Sequence, residues 1–335
     1  MSRILVTGGA GYVGSHVCKA LHAHGHEPVA IDNLSEGHDW AVKWGPLVRG
    51  DIADGEFVRR TIREHDIEGV IHMASLAYVG ESVKDPGKYW FNNVGNAARL
   101  FDALAAEGVR DVVFSSSCAI YGVPERLPIT EDLPPRPINP YGHTKLVIEA
   151  MLADFAAAHG LRSVSLRYFN AAGADPDGEI GEDHDPEPHL IPNILAAAAG
   201  YRPAIDILGD DYNTPDGTCV RDFVHVTDLA AAHVAALAYL REGGASRSFN
   251  LGTGEGRSVR QVIDAVERVT GRPVPQRVGP RRPGDPPALV ADPGMAREVL
   301  GFATPHSDLD TLVATAWRWY QAHFAARADS RRAAQ

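Results

Sequence analysis

The chain has 335 residues, of which 44% are hydrophobic and 22% are charged, and its formal net charge at pH 7 is −11. A chain longer than about 250–300 residues rarely forms a single core, so this length predicts two lobes that share one cleft. The acidic balance argues against a nucleic-acid-binding protein, which would need a basic surface.

The cysteines and the hydropathy pattern bear on where the protein works. Cys18, Cys118 and Cys219 are odd in number and far apart, without the spacing of a disulfide framework or a metal site. No stretch approaches about 20 consecutive apolar residues, and the first residues lack the pattern of a signal peptide. We therefore expect a cytoplasmic protein that binds no metal, membrane or nucleic acid.

Short apolar runs alternate with helical patterns through the first half of the chain. The predicted strands are Arg3–Thr7, Pro28–Asp32, Leu47–Asp51, Gly69–Ala74, Val112–Ser117 and Ser163–Phe169. The predicted helices are Tyr12–Ala23, Gly55–His65, Tyr89–Ala106 and Tyr141–His159. Repeated β-α units predict an α/β fold, a Rossmann-type doubly wound parallel sheet with helices on both faces.

The composition changes after Asn170, where the segment Ala171–Glu187 is rich in Gly, Pro and Asp. We place a nucleotide-binding domain at residues 1–170, with a segment near 219–250 returning to it. A smaller C-terminal α/β substrate lobe is expected mainly at residues 171–335. The end of the chain, Ala325–Gln335, is polar and is expected to be an irregular tail.

The first predicted strand leads into a glycine-rich turn. Gly8, Gly11 and Gly14 stand three residues apart just before and inside a helical pattern. Glycines there let backbone N–H groups approach a pyrophosphate closely. Asp32 ends the second strand, where a carboxylate accepts hydrogen bonds from the adenosine ribose and repels a 2′-phosphate. This context predicts NAD as the cofactor, whereas the glycines alone would indicate only a tight turn.

Neighbouring positions extend the predicted cofactor site. Tyr12 and Val13 lie within the glycine turn, and Asn33 follows the acidic residue without supplying a cation for NADP. Asp51 and Ile52, at the end of the third strand, are expected to flank the adenine. The alternative for Asp51 is an ordinary aspartate at the end of a strand.

Tyr141 and Lys145 stand four residues apart behind Pro140, a residue that suits the first turn of a helix. This spacing puts both side chains on one helix face. A tyrosine is a poor base at neutral pH, but a neighbouring ammonium and a positive nicotinamide ring favour its phenolate. Ser117 ends a predicted strand and is placed to hydrogen-bond the reacting oxygen. The alternative for the Tyr–Lys pair is an ordinary pair on a helix surface.

Together these motifs resemble the extended short-chain dehydrogenase/reductase family, and within it the UDP-sugar 4-epimerases. The resemblance spans nearly the whole chain. Its further stretches are Val79–Ser82, Asn92–Val94, Ser115–Ser117 with Tyr121–Gly122, Arg167–Asn170, Val220–Val226 and Arg281–Asp285. The resemblance implies reversible inversion at C4 of a UDP-hexose, UDP-galactose to UDP-glucose, through a 4-keto intermediate, with hydride passed to NAD and returned.

The resemblance also implies ligand contacts at particular positions. For the cofactor, it adds Ala74, Asn92 and Tyr168 to Tyr141 and Lys145. For the UDP-sugar, the implied residues are Ser117, Tyr141, Asn170, His189, Leu190, Arg221, Arg282, Asp285 and Leu289. The arginines suit a diphosphate because a guanidinium donates in a two-pronged manner. Each could instead form a loop salt bridge.

The chain departs from the family pattern at several positions. Ala77 stands where many members have a lysine that touches the cofactor phosphate, and Ala119 stands where some have a threonine beside the serine. His189 replaces an asparagine of some relatives. Leu289 is intermediate in size between the bulky residue of strict hexose sites and the small residue that admits N-acetyl sugars, so the choice among UDP-hexose, UDP-N-acetylhexosamine and UDP-pentose stays open.

Two other functions are considered. A nucleotide-sugar 4,6-dehydratase would need an Asp-Glu pair after the serine, but Cys118 and Ala119 follow here. A non-catalytic NAD-binding regulator could use the same fold, although such proteins commonly lose the Tyr–Lys pair. The resemblance finally implies a homodimer, joined through a four-helix bundle of the Tyr89–Ala106 and Tyr141–His159 helices.

Overall fold

The structure is a computed structural model, and it describes residues 1–282 and 285–333. The strands are β1 Arg3–Thr7, β2 Glu27–Asp32, β3 Leu47–Arg49, β4 Gly69–His72, β5 Asp111–Ser117, β6 Arg162–Tyr168, β7 Asn170–Ala172, β8 Ile205–Leu208, β9 Val220–Arg221, β10 Phe223–His225, β11 Arg247–Leu251, β12 Arg257–Ser258, β13 Gln276–Gly279 and β14 Ala288–Leu289. The helices are α1 Tyr12–Ala23, α2 Gly55–Glu64, α3 Val79–Lys84, α4 Pro86–Tyr89, α5 Asn96–Ala106, α6 Pro140–His159, α7 Leu190–Ala198, α8 Val226–Arg241, α9 Val259–Thr270, α10 Gly294–Leu300 and α11 Leu309–Ala333.

Seven strands form one parallel sheet in the order β3-β2-β1-β4-β5-β6-β11. Successive residues of β1 alternate between the two faces, as strand geometry requires. Ile4 and Val6 pack into a core with residues of α1, α8 and α10, whereas Leu5 packs into a second core with residues of α2, α5 and α6. The predicted Rossmann-type fold is confirmed, because helices cover both faces of the sheet.

A third core lies outside this sheet. It is formed mainly by α7, α9 and α11 with β8 and β10. Two small sheets accompany it, in the strand orders β13-β8 and β12-β9-β14. The chain crosses between the units more than once, since α8 and β11 belong to the seven-stranded part and Ala296 of α10 packs in its first core.

The predicted helix at Tyr89–Ala106 is not a uniform α-helix. Trp90–Gly95 forms a π-helical turn between α4 and α5. The wider turn aims Asn93 inward, where its side chain bonds the backbone of Leu76 at 2.9 and 3.0 Å, while Asn92 lines the cleft. Wider turns of this kind occur often at functional sites.

The expectation of an irregular tail is wrong for most of that segment, because α11 continues to Ala333; Ala334 and Gln335 lie outside the described residues. Ala and Arg are strong helix formers, which sequence polarity alone does not reveal. Within the described residues, no helix has the length and apolar character needed to cross a membrane.

Candidate active site

One large cleft, about 980 Å³ in volume, lies at the carboxyl ends of the central strands, between the sheet and the third core. Ligands bind at this edge of open α/β sheets. The predicted site residues that line the cleft are Gly8, Gly11, Tyr12, Val13, Gly14, Asp32, Asn33, Asp51, Ile52, Ala74, Asn92, Ser117, Tyr141, Tyr168, Asn170, His189, Leu190, Arg221, Arg282, Asp285 and Leu289. Lys145 lies behind the cleft wall.

The glycine turn leaves no room for side chains. Gly8 has φ +71°, and a Cβ there would lie 2.8 Å from the backbone nitrogen of Ala74. A Cβ on Gly14 would overlap the carbonyl oxygen of Gly8. The N-terminus of α1 follows at Tyr12, with no side-chain cap and no acidic residue in its first turn. These free N–H groups fit the pyrophosphate of a dinucleotide.

Asp32 is held in place by backbone hydrogen bonds. Its Oδ2 accepts from the N–H of Ala10 at 3.0 Å, and its Oδ1 accepts from the N–H of Leu34 at 2.8 Å. Burial raises the pKa of this carboxyl, and the two N–H bonds oppose that rise. Both oxygens keep a further lone pair for the ribose hydroxyls of a dinucleotide. The glycine turn therefore fits the pyrophosphate of NAD, and Asp32 fits its ribose hydroxyls.

The first turn of α6 positions the tyrosine and the lysine. Asn139 caps this helix, and its side chain accepts a hydrogen bond from the N–H of Gly142 at 2.8 Å. Lys145 is 2% exposed. Its Nζ donates to the Ser75 hydroxyl at 2.9 Å and to the Ser115 carbonyl at 2.7 Å, and lies 5.7 Å from the centroid of the Tyr141 ring.

Burial dominates the protonation of both groups. It lowers the pKa of Lys145 to about 7, an effect that Glu149 partly offsets. It also raises the pKa of Tyr141 well above its ordinary value, with a smaller contribution from Tyr168, and a hydrogen bond with Ser117 opposes this. The sequence argument expected the neighbouring ammonium to favour the phenolate. In the protein alone burial prevails, because the ammonium is itself desolvated.

Ser117 ends β5 at the cleft. Its Oγ accepts a hydrogen bond from the N–H of Ala119 at 3.1 Å, at the start of a 3₁₀ turn spanning Cys118–Tyr121. Burial raises the pKa of Cys118 to about 12, so that thiol is not a nucleophile at neutral pH. Among these adjacent side chains, the serine is the one that offers a hydroxyl.

The other end of the cleft carries the arginines. Arg221 Nη2 lies 3.0 Å from Asp285 Oδ1, so these two residues pair with each other in the protein alone. Leu289 is the register partner of Arg221 on the adjacent parallel strand. Arg282 is exposed at the same end.

Several cleft residues were not predicted from the sequence. Ser75 holds the ammonium of Lys145, and Tyr78 donates to Glu36 Oε2 at 3.3 Å across the cleft rim. Lys84 and Arg202 add two cations to the lining. The position of Ser75 just beyond a strand end was a usable signal. The other residues enter through loops and helix ends whose placement local patterns do not specify.

Comparison with known proteins places this site in a family. Residues 4–252 match the model of the NAD dependent epimerase/dehydratase family. A curated UDP-glucose 4-epimerase of Rhizobium meliloti (strain 1021) is 50% identical over 319 residues, covering 95% of this chain and 97% of the relative.

Solved structures agree with the sequence match. The UDP-glucose 4-epimerase from Brucella ovis, in complex with NAD, is 56% identical with a TM-score of 0.93, covering 95% of this chain and 98% of that one. The UDP-glucose-4-epimerase from Stenotrophomonas maltophila, with bound NAD and formylated UDP-arabinopyranose, is 41% identical with a TM-score of 0.94, covering 97% and 100%.

Proposed function

This chain belongs to the NAD dependent epimerase/dehydratase family, and we propose that it is an NAD-dependent UDP-glucose 4-epimerase, interconverting UDP-galactose and UDP-glucose. One arrangement carries the proposal. A single cleft holds the glycine turn with Asp32 at one end, Tyr141 between, and the arginine pair at the other end. This is the layout that a dinucleotide and a nucleotide sugar need if they are to meet at one tyrosine.

The cofactor half of the cleft is assigned by position. We assign NAD binding to Gly8, Gly11, Tyr12, Val13, Gly14, Asp32, Asn33, Asp51, Ile52, Ala74, Asn92, Tyr141, Lys145 and Tyr168. Lys84 supports this assignment, because it brings a cation to the cleft lining. Ala77 cannot supply the charge of the lysine that many family members have at that position. When bound, NAD supplies a site that accepts a hydride from C4 of the sugar and gives it back.

Tyr141 acts as the base in this proposal. Its hydroxyl, once deprotonated, takes the proton from the sugar O4, and Ser117 donates a hydrogen bond to the same oxygen. Lys145 stabilises the negative charge through its position on the same helix face. The 4-keto sugar then turns so that the opposite face of C4 receives the returning hydride. Tyr141 gives the proton back to O4, and the configuration at C4 is inverted.

The nucleotide half must hold the substrate while the sugar turns. We assign this role to Arg221 and Arg282 at the diphosphate, Asp285 at the uridine ribose and Asn170 at the diphosphate or sugar. Binding would separate Arg221 from Asp285, since both then gain ligand partners. His189 and Leu190, at the start of α7, would contact the uracil.

We expect the size of Leu289 to influence which UDP-sugars the cleft accepts. Its side chain is 9% exposed and packs with Phe169 and Cys118 beside the cleft. A leucine leaves more room than an aromatic residue, so UDP-N-acetylhexosamine and UDP-pentose are the alternative substrates to compare with UDP-galactose. Dehydration is disfavoured, because neither Cys118 nor Ala119 supplies a carboxyl group.

The proposed assembly is a homodimer built on the π-turn region and α6. Phe91 is 79% exposed, Val83 is 62% exposed and Trp90 is 40% exposed, which is unusual for large apolar side chains. Val83 lies on α3, and Trp90 and Phe91 lie on the π-helical turn. We place the enzyme in the cytoplasm, in galactose metabolism, and its three buried, unpaired cysteines suit a reducing compartment.

The test is conversion without added cofactor. The purified protein is incubated with UDP-galactose, and UDP-glucose is measured by chromatography while absorbance at the reduced-nicotinamide band is followed. UDP-glucose formation without net absorbance gain is the expected result. A product lighter by one water would establish a dehydratase, and no conversion even with added NAD and each UDP-sugar would contradict the proposal.

A further inference from the structure

A loop at the cleft rim gathers two glutamates and two histidines around one point. Glu182, His184, Glu187 and His189 follow the spacing Glu-x-His-x-x-Glu-x-His. One ligand atom from each of the four residues lies within 4.8 Å of the others. Eight consecutive residues therefore supply a complete set of four donor atoms.

The separations between these atoms resemble those of a coordination shell. Glu182 Oε1 lies 3.2 Å from His184 Nδ1 and 2.5 Å from His189 Nδ1. Glu187 Oε2 lies 3.6 Å from His184 Nδ1, and its other oxygen, Oε1, lies 3.3 Å from His189 Nδ1. Donor atoms about 2.0–2.2 Å from a tetrahedral zinc ion are roughly 3.3–3.6 Å apart. Three of the four separations are close to that range, and the shortest needs only a small outward movement of one side chain.

Three of the four donor residues hold atoms without a hydrogen bond, whereas Glu187 Oε1 accepts one from the N–H of His189 at 2.9 Å. Among the residues that the structure describes, Glu182 Oε1 and the Nδ1 atoms of His184 and His189 are buried and find no hydrogen-bond partner. The Glu182 side chain is only 7% exposed. The neighbouring Asp183 differs, since its carboxylate bonds His323 Nε2 with ordinary geometry at 3.0 Å. Three buried polar atoms without hydrogen bonds thus lie within 4.8 Å of one another, an arrangement that a shared cation would satisfy.

The two carboxylates at this point have imidazoles as their charged partners, since each lies within ion-pair distance of both histidines. In the described part of the chain, neither Glu182 nor Glu187 forms an ion pair with a lysine or an arginine. Buried carboxylates need a compensating charge, which either protonated imidazoles or a bound cation supplies. A divalent cation would neutralise both, and two imidazole nitrogens with two carboxylate oxygens form a donor set that suits Zn²⁺.

The surrounding contacts hold the donors in place. The Asn193 side chain donates to the backbone carbonyls of Glu187 at 3.0 Å and His189 at 2.8 Å. Trp319 Nε1 donates to the carbonyl of Glu182 at 3.0 Å. The ring of Tyr78 packs edge-on against His184, with 5.8 Å between centroids. Outer contacts of this kind orient metal ligands.

We propose that Glu182, His184, Glu187 and His189 bind one zinc ion. The ion would fix the rim loop, residues 182–189, against α7 and α11. The inference does not depend on the proposed reaction, but it assigns the His189 side chain to the ion, so the uracil contact proposed above would be made by Leu190 and the backbone of His189. It departs from the sequence-based expectation of no metal, which considered the cysteines alone. Another acidic group, Asp175, Asp177 and Glu179, carries no such proposal, because Lys19 Nζ sits among its carboxylates at 2.7–2.8 Å.

The experiment measures metal content in the full-length protein without a histidine tag. The protein is produced in cells grown with zinc, purified and dialysed, and its zinc content is measured by elemental mass spectrometry. We expect about one zinc per chain in the wild type and less than about one fifth of that in Glu182→Gln and His184→Asn. The double variant Asp177→Asn/Glu179→Gln is the matched control and should keep its zinc.

Two further readouts separate loss of the site from loss of the fold. Near-ultraviolet circular dichroism checks that each variant is folded, and replacement by Co²⁺ in the wild type should give the intense visible bands of a tetrahedral ion. Chelation should lower the melting temperature of the wild type, and zinc should restore it. A folded wild type that contains no zinc and takes up neither Zn²⁺ nor Co²⁺ at micromolar concentration overturns the proposal, as does a His184→Asn variant that keeps full occupancy.

Discussion

Lys145 lies one helical turn beyond Tyr141 on α6, with its Nζ 5.7 Å from the centroid of the tyrosine ring and fully enclosed by protein. The ammonium is held by Ser75 and by the carbonyl of Ser115, so it cannot swing into the cleft without losing two hydrogen bonds. In the proposed mechanism Lys145 would therefore act on Tyr141 through its charge and fixed position.

Replacing Tyr141 by phenylalanine removes the proposed base and little else. We expect the turnover of UDP-galactose to fall by about 10²–10⁴-fold, the usual contribution of a positioned base. Bound NAD and the melting temperature should stay close to those of the wild type. Tyr239→Phe, which removes a tyrosine hydroxyl bonded to Ala245 at the surface, is the control. Wild-type turnover in Tyr141→Phe would remove this residue from the mechanism.

Lys145 makes stability depend on pH in a direction that can be worked out. Its pKa is about 7 in the folded protein and about 10.5 when unfolded. Between these values the unfolded chain binds more protons, so this residue makes the wild type more stable as the pH rises. The gain is at most about 1.4 kcal/mol per pH unit.

The variant Lys145→Met should lack that slope. Denaturant unfolding at pH 7 and pH 9 should show the stability of the wild type rising relative to the variant, while the variant loses activity at both. A difference that stays constant or falls with pH would mean that Lys145 is not charged and buried as described.

Asp32 should decide how tightly NAD is held. Asp32→Asn keeps the shape of the side chain but removes a charged acceptor, and charged hydrogen bonds contribute about 1.5–3 kcal/mol. We expect the dissociation constant for NAD, measured by calorimetry, to rise at least about tenfold. Asp39→Asn, at an exposed position outside the cleft lining, should leave it unchanged. Equal affinity in both variants would contradict the ribose contact.

Arg221 should act on substrate binding more than on the chemical step. Arg221→Met removes the partner of Asp285 and the proposed diphosphate contact. KM for UDP-galactose should rise about 10–100-fold, with a smaller change in kcat. Arg257→Met is the matched control. Arg257 lies on β12 and is the backbone register partner of Arg221 on β9, but it is not among the cleft-lining residues described. A change confined to kcat would assign Arg221 a different role.

Phe91 should report on the proposed dimer. Phe91→Glu places a charge on the most exposed aromatic residue of the π-helical turn, and light scattering should show a shift from dimer to monomer at micromolar concentration. Val278→Glu, at an exposed apolar position on β13, is expected to stay dimeric. A wild type that is already monomeric would rule out the assembly itself.

Local sequence patterns were enough to predict the sheet and its cofactor turn. Gly8, Gly11 and Gly14 between a strand and a helix, with Asp32 at the next strand end, follow from backbone sterics and hydrogen bonding within about 30 residues. The helix face shared by Tyr141 and Lys145 likewise depends only on a spacing of four. The resemblance to a family then added residues to the predicted site that lie far apart in the sequence, which local patterns do not link.

Other features depend on contacts between distant segments. The π-helical turn at Trp90–Gly95 exists where Asn93 meets the backbone of Leu76, and the sequence pattern of a uniform helix could not indicate it. The same applies to the paired Arg221 and Asp285, which are 64 residues apart.

The sequence by itself determined the α/β class, the glycine turn and the helix face shared by Tyr141 and Lys145, because those features follow from short-range geometry. Only the tertiary structure decided that Lys145 is enclosed with a lowered pKa, and that Glu182, His184, Glu187 and His189 converge on one point. The physical reason is that desolvation and convergence are set by which segments pack around a group, and packing is a property of the whole chain.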